Sequence, residues 1–177
     1  MKKGVVIYGA GGHARVVSAL VRDHNHEVRC FFDDQETTDT AVIPYREDAY
    51  PEAAMIIAIG NNTVRQRLAD TVAHPFGTFV HADASVDASV SPGAGTVVLA
   101  RAVVQANVQL GAHVIINAGA VVDHDAVIED YAHIAPNAYI GGGAHIEKGV
   151  VIGAGAVVTR FARVKANTVV PPLTLVV

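Results

Sequence analysis

Tryptophan is missing altogether, cysteine occurs once, and aromatic residues make up 6% of the 177 positions. A single cysteine, Cys30, forms no disulfide within the chain and suits a reducing compartment. It stands in the run Val28 to Phe32, where a buried structural thiol is expected. Basic residues never gather into a run and the formal net charge is −4, which leaves no electrostatic footprint for nucleic acid. Apolar runs are short as well. None approaches the ~20 residues of a membrane span, and the opening Met1-Lys2-Lys3 leads into a glycine turn after an apolar run too short for a signal segment. A cytoplasmic protein is expected. With 51% hydrophobic residues the chain still has a core to bury, drawn from Val, Ile and Ala.

What is present is a period of six. Counting Val80 as position one, that position falls on Val86, Pro92, Val98, Val104, Leu110, Ile116, Val122, Ile128, Ile134, Ile140, Ile146, Ile152, Val158, Val164 and Val170. Only Pro92 is not aliphatic. Position five is small or β-branched throughout, as at Ala120, Ala126, Ala132, Ala138 and Ala144. Six matches neither the helical period nor strand alternation. It asks for a coil that turns a corner every six residues with an aliphatic pointing inward there, three flat walls making a turn of 18 residues. Stacked turns bury one aliphatic column on another. Sixteen units give a parallel β-helix of a little over five turns.

Ahead of the repeats, Val5 to Tyr8 reads as a buried parallel strand, followed by Gly9-Ala10-Gly11-Gly12-His13-Ala14 and a helical pattern at Val16, Val17, Leu20 and Val21. Strand, glycine turn and helix is an arrangement that offers backbone N–H groups to phosphate. Glu27 to Phe32 reads as a second strand ending at Asp33-Asp34, and Met55 to Ile59 as a third ending at Gly60-Asn61-Asn62. A helix over 63–72 follows, capped by Asn61 or Asn62. Residues 36–54 read as loop with at most one short helix. The glycine turn is compatible with a nucleotide-sugar or mononucleotide, with a dinucleotide, or with a purely structural role.

Among the nine histidines, His113, His124, His133 and His145 fall on the repeats. His124 occupies position three, which is free to face outward, between Asp123 and Asp125. A neighbouring carboxylate fixes an imidazole tautomer and raises its basicity, as a general base requires. A surface histidine on a polar wall is the other reading. Stacking by 18 residues sets His113 beside Tyr131 and His145 beside Val127, which gathers no ligand cluster.

The units Val122-Asp-His-Asp-Ala-Val and Ile152-Gly-Ala-Gly-Ala-Val resemble the hexapeptide repeat of left-handed β-helix acyltransferases. Together with Tyr8-Gly-Ala-Gly-Gly-His-Ala, Phe32-Asp33-Asp34 and Ile59-Gly60-Asn61-Asn62, they make nearly the whole chain resemble the sugar acetyltransferases that act on sialic acid or on UDP-4-amino-sugars of bacillosamine synthesis. The resemblance implies a Rossmann-like α/β domain over 1–78 that holds a nucleotide-sugar, and a left-handed β-helix over 79–177 that assembles as a homotrimer with acetyl-CoA between subunits. It implies His124 as base with Asp125 as its partner, acceptor contacts from Gly11, Gly12, His13, Asp33, Asp34, Gly60 and Asn117, and coenzyme contacts from His133, Gly142 and Ala154. No metal is expected, because the three-histidine pattern of the γ-type carbonic anhydrases, another left-handed β-helix class, is not matched. An O-acetyltransferase acting on sialic acid and a non-catalytic nucleotide-sugar-binding scaffold are the alternatives. Gly141-Gly142-Gly143 suits either a ligand close to the main chain or a tight corner. The C-terminal Val170-Pro171-Pro172-Leu173 departs from the family's usual ending, which puts coenzyme contacts there in question.

Overall fold

The computed structural model describes residues 3–35, 38, 39 and 41–177, and the chain divides into two compact units, Met1–Phe79 and Val80–Val177. Of the segment read as loop, residues 36, 37 and 40 lie outside the described ones.

The first unit contains β1 (Gly4–Tyr8), α1 (Gly12–Asp23), β2 (Glu27–Phe32), β3 (Val42–Ile43), β4 (Ala54–Ile57) and α2 (Asn62–Ala69). β3 corrects the expectation for 36–54: two residues of that segment join the sheet edge beside Phe31 and Phe32. A two-residue strand carries no periodicity for a sequence reading to find. The sheet is parallel in the order β3-β2-β1-β4. Neighbours on both sides explain the unbroken apolar run of β1, whose Val5, Val6 and Ile7 are fully buried. α1 lays Ala14, Val17, Leu20 and Val21 inward at helical spacing. Cys30 is buried, and burial pushes its thiol up to about 11. The strand order reverses beside β1, because the chain steps outward to β2 and β3 and then returns to β4 on the other side. Ligand crevices open at such points, at the carboxyl ends of the strands.

The second unit is a parallel β-helix of about five turns. Its first wall stacks Val97–Val98, Ile115–Ile116, His133–Ile134, Val151–Ile152 and Val169–Val170. The second stacks Ser85–Val86, Val103–Val104, Val121–Val122, Tyr139–Ile140, Val157–Val158 and Leu175–Val176. Gln109–Leu110, Val127–Ile128, His145–Ile146 and Arg163–Val164 form the third. Each coil donates to the one 18 residues on, as from Ile115 N to Ala132 O at 3.0 Å.

Position one lies within the walls, as the second residue of each strand, which corrects the expectation that it marks the corner. Ile116, Val122, Ile134, Ile140, Ile146 and Ile152 are fully buried, each contributing about 1.5–3 kcal/mol relative to exposure. The small position five immediately precedes the strand. Corners fall at positions three and four, and position four takes positive φ: +61° at Asn107, +68° at Gly119, +59° at Asp125 and +58° at Asn137. A β-branched aliphatic resists that conformation, so the aliphatics occupy the flat walls instead. On the last coil Val169, Leu173, Leu175 and Val177 are exposed.

Candidate active site

The corner between the second and third walls presents His124 and Asp125. Its main chain is tied on both sides: Asp125 N donates to Ala106 O at 3.0 Å and Gly143 N donates to His124 O at 2.9 Å. The left-handed conformation of Asp125 turns its carboxylate back onto the preceding ring. Nδ1 of His124 lies 2.7 Å from Asp125 Oδ2, and Asn107 Nδ2 donates to the other carboxylate oxygen at 3.2 Å. His124 N donates to Asp123 Oδ1 at 2.8 Å, and the Tyr139 hydroxyl donates to Asp123 Oδ2 at 2.8 Å. Position three does face outward, and the pairing of Nδ1 leaves Nε2 of His124 directed away from Asp125.

The hydrogen bond to Asp125, with added attraction from Asp123, raises the His124 pKa, and the charge of Arg160 opposes it. Asp125 is held below the usual carboxylate range by its bonds from His124 and Asn107. Asp123 was named from the sequence only as a flank of His124, and Tyr139 and Arg160 were not singled out. The 18-residue pitch finds two of them, since Arg160 is two coils from His124 and Tyr139 lies one coil from Val121, two residues before Asp123.

One coil above His124 stands Gly142. A Cβ there would lie 2.8 Å from His124 Nε2, so the missing side chain makes room for the imidazole. Gly141 and Gly143 serve the coil itself: a Cβ on Gly141 would meet Arg160 N at 2.5 Å, and Gly143 takes φ +67°. Amides at position three stand outside the coil-to-coil ladder and take a side-chain acceptor where one is at hand, as Ala118 N does from Asn117 Oδ1 at 2.9 Å. Gly142 and Ala154 each follow a glycine, and neither amide has an acceptor among the described residues. Gly142 is buried.

Asn117 and His133 meet elsewhere, with Asn117 Nδ2 donating to His133 Nε2 at 3.3 Å. His133 belongs to the first wall, while Asn117 and Ala154 lie beside the corner between the first and second walls. Within one chain, therefore, the expected residues form two groups on either side of the second wall: His124, Asp125 and Gly142 in one, Asn117, His133 and Ala154 in the other.

The first unit gathers Gly11, Gly12 and His13 after β1, Asp33 and Asp34 after β2, and Gly60 after β4. Gly9, with φ +110° and Ala58 O 3.0 Å from where its Cβ would sit, makes the turn. Nothing lies within 4 Å of a Cβ built on Gly11 or Gly60, so both leave open space at the crevice. Asp33 Oδ2 accepts from Ala10 N at 2.8 Å. The Tyr8 hydroxyl donates to Asp34 at 2.9 Å, and burial followed by that bond raises the Tyr8 pKa. Asn61 caps α2 through Val64 N. Beneath the turn Arg65 is buried, donating to Ile59 O and Asn62 Oδ1 at 2.8 Å each. Burial and the Arg65 charge lower His13 to about 4, keeping it neutral at physiological pH. Among the described residues, no group of three or more His, Cys, Asp or Glu could hold a metal ion, and no helix is long and apolar enough to cross a membrane.

Comparison with known proteins follows this division. Residues 4–72 match the PglD N-terminal domain, and residues 125–160 match the bacterial transferase hexapeptide (six repeats). UDP-N-acetylbacillosamine N-acetyltransferase of Bacillus subtilis (strain 168) is 36% identical over 113 residues, a match covering 55% of this chain and 52% of that protein, or about half its length. The acetyltransferase domain of PglB from Neisseria gonorrhoeae FA1090, in complex with acetyl coenzyme A, superposes with a TM-score of 0.69 at 28% identity, over 97% of this chain and 94% of that one. A mutant of perosamine N-acetyltransferase from Caulobacter crescentus, in complex with CoA and GDP-perosamine, gives 0.66 at 28%, over 97% and 92%. In both of its parts, the chain resembles the hexapeptide-repeat sugar acetyltransferases of the PglD kind.

Proposed function

We propose that the chain is an acetyl-CoA-dependent sugar N-acetyltransferase that transfers the acetyl group directly to the amine of a UDP-4-amino-sugar of the bacillosamine type. The observation that carries this reading is the carboxylate-paired imidazole of His124, which lies against the side-chain-free backbone of Gly142. His124 Nε2 takes the proton released as the amine nitrogen bonds to the thioester carbonyl carbon. The Gly142 N–H meets the negative charge that builds on the carbonyl oxygen. As the carbon–sulfur bond breaks, His124 returns the proton to the departing thiolate. Asp125 holds Nδ1–H and stabilises the transient imidazolium. No acyl-enzyme is required, since Cys30 lies buried in the other unit.

The crevice at Gly11, Gly12, His13, Asp33, Asp34 and Gly60 holds the nucleotide, whose phosphates face the N-terminus of α1. The split of the solenoid residues into two groups supports a homotrimer, in which Asn117, His133 and Ala154 of one copy meet His124 of the next across the coenzyme. The relatives named above support the acetyl donor and the amine acceptor.

The test is thiol release from acetyl-CoA with UDP-4-amino-, GDP-4-amino- and free amino-sugars and with sialic acid. Turnover confined to a UDP-4-amino-sugar and lost in His124→Ala is the expected result. A GDP-sugar or sialic acid as the preferred acceptor overturns the assigned acceptor, and undiminished turnover in His124→Ala overturns the mechanism.

A further inference from the structure

The corner of His124-Asp125 repeats one coil on at Gly142-Gly143 and again at Arg160-Phe161, joined by hydrogen bonds from Gly143 N to His124 O (2.9 Å) and from Phe161 N to Gly142 O (3.1 Å). The middle repeat carries no side chains. It forms a shelf on which the His124 imidazole lies against Gly142 and the Phe161 ring against Gly143, since a Cβ on Gly143 would lie 2.6 Å from two of that ring's carbons. Phe161 adopts φ +60° with 67% of its surface exposed, a conformation bulky side chains seldom take. Core burial does not account for it. Its ring carries the Arg160 guanidinium, whose central carbon stands 4.6 Å from the ring centroid.

The shelf is thus electrically polar along its length, with Asp123 and Asp125 at the histidine rung and a cation two rungs away. Coils about 4.8 Å apart put the two rungs about 10 Å apart along the corner. A donor whose acyl end lies at His124 and whose arm runs along this corner in the direction of Arg160 carries its anionic end toward that cation and away from the two aspartates.

We propose that Arg160, held over Phe161, binds a phosphate of the acetyl donor and so selects coenzyme A over donors that share only its acyl end. This rests on acetyl-CoA being the donor. A guanidinium forks onto phosphate through paired N–H groups, which a lysine in its place does not reproduce.

The experiment compares full-length wild type with Arg160→Gln, Arg160→Lys and Phe161→Leu, using acetyl-CoA and S-acetylpantetheine, which lacks the phosphates, as donors at a fixed amino-sugar concentration. The preference for acetyl-CoA in kcat/KM is expected to fall about tenfold or more in Arg160→Gln, less in Arg160→Lys, and to fall also in Phe161→Leu as the guanidinium loses its platform. Calorimetric binding of coenzyme A weakens in parallel. Equal losses with both donors, or a KM rise confined to the nucleotide-sugar, overturn the assignment. Wild type that neither turns over nor binds acetyl-CoA overturns the donor itself and this assignment with it, whereas wild-type activity with an undiminished preference in Arg160→Gln overturns the role of Arg160 alone.

Discussion

His124 fills the space that a side chain on Gly142 would need: the two would approach to 2.8 Å. Gly142→Ala is therefore expected to spare the fold, since Gly142 does not take the left-handed conformation and the half-exposed imidazole can swing aside. The displaced base costs about a hundredfold in kcat. Thermal melting alongside single-turnover kinetics checks this, and a large loss of stability would refute it.

A base must be neutral to accept a proton. Because Asp125 raises the His124 pKa, kcat rises with pH through that raised value. In Asp125→Asn the neutral partner no longer favours the imidazolium, so the limb moves to lower pH while the plateau falls about 10- to 100-fold with the weaker base. The pH dependence of kcat in the two proteins decides it. A limb that stays in place would show that another group titrates.

Two residues on opposite sides of one wall serve a common site only if neighbouring copies face each other. If the proposed homotrimer forms, His124→Ala and His133→Ala variants, each inactive or nearly so, are expected to recover about a quarter of wild-type activity when unfolded and refolded together, because random mixing rebuilds intact His124–His133 interfaces. No recovery in trimers shown to be mixed would place the site within one chain.

Arg65 holds the turn after β4 through Ile59 O and Asn62 Oδ1. Arg65→Leu leaves those acceptors without their donor, at about 1–3 kcal/mol each. The first unit is expected to melt earlier and to bind UDP more weakly. With the cation gone His13 titrates above its wild-type value of about 4, a shift readable from its ring resonances.

Much of the solenoid was legible because stacking by 18 turns a linear spacing into a contact. His113 and Tyr131, predicted as neighbours on that arithmetic alone, stack at 5.1 Å and 2°. His145 does stand beside Val127, yet its partner is Glu129, 2.6 Å from Nε2. The corner was misplaced because it is specified by backbone φ. Glycine, asparagine and aspartate recur at position four, but Arg101, Tyr131 and Phe161 interrupt the pattern. In the first unit β1, β2 and β4 were plain from apolar runs, and the turn residues narrowed the helix cap to Asn61 or Asn62, of which Asn61 accepts from Val64 N. The bond from Tyr8 to Asp34 crosses 26 residues and depends on a sheet register that no local pattern records.

Each coil contacts only the coil before and the coil after it, so a disturbance at one corner travels rung by rung. Between Phe161 and His124 it passes through two bonds, from Phe161 N to Gly142 O and from Gly143 N to His124 O. A substitution at Arg160-Phe161 therefore reaches the His124 rung only by way of the two glycines, and its effect there is weaker than at its own rung.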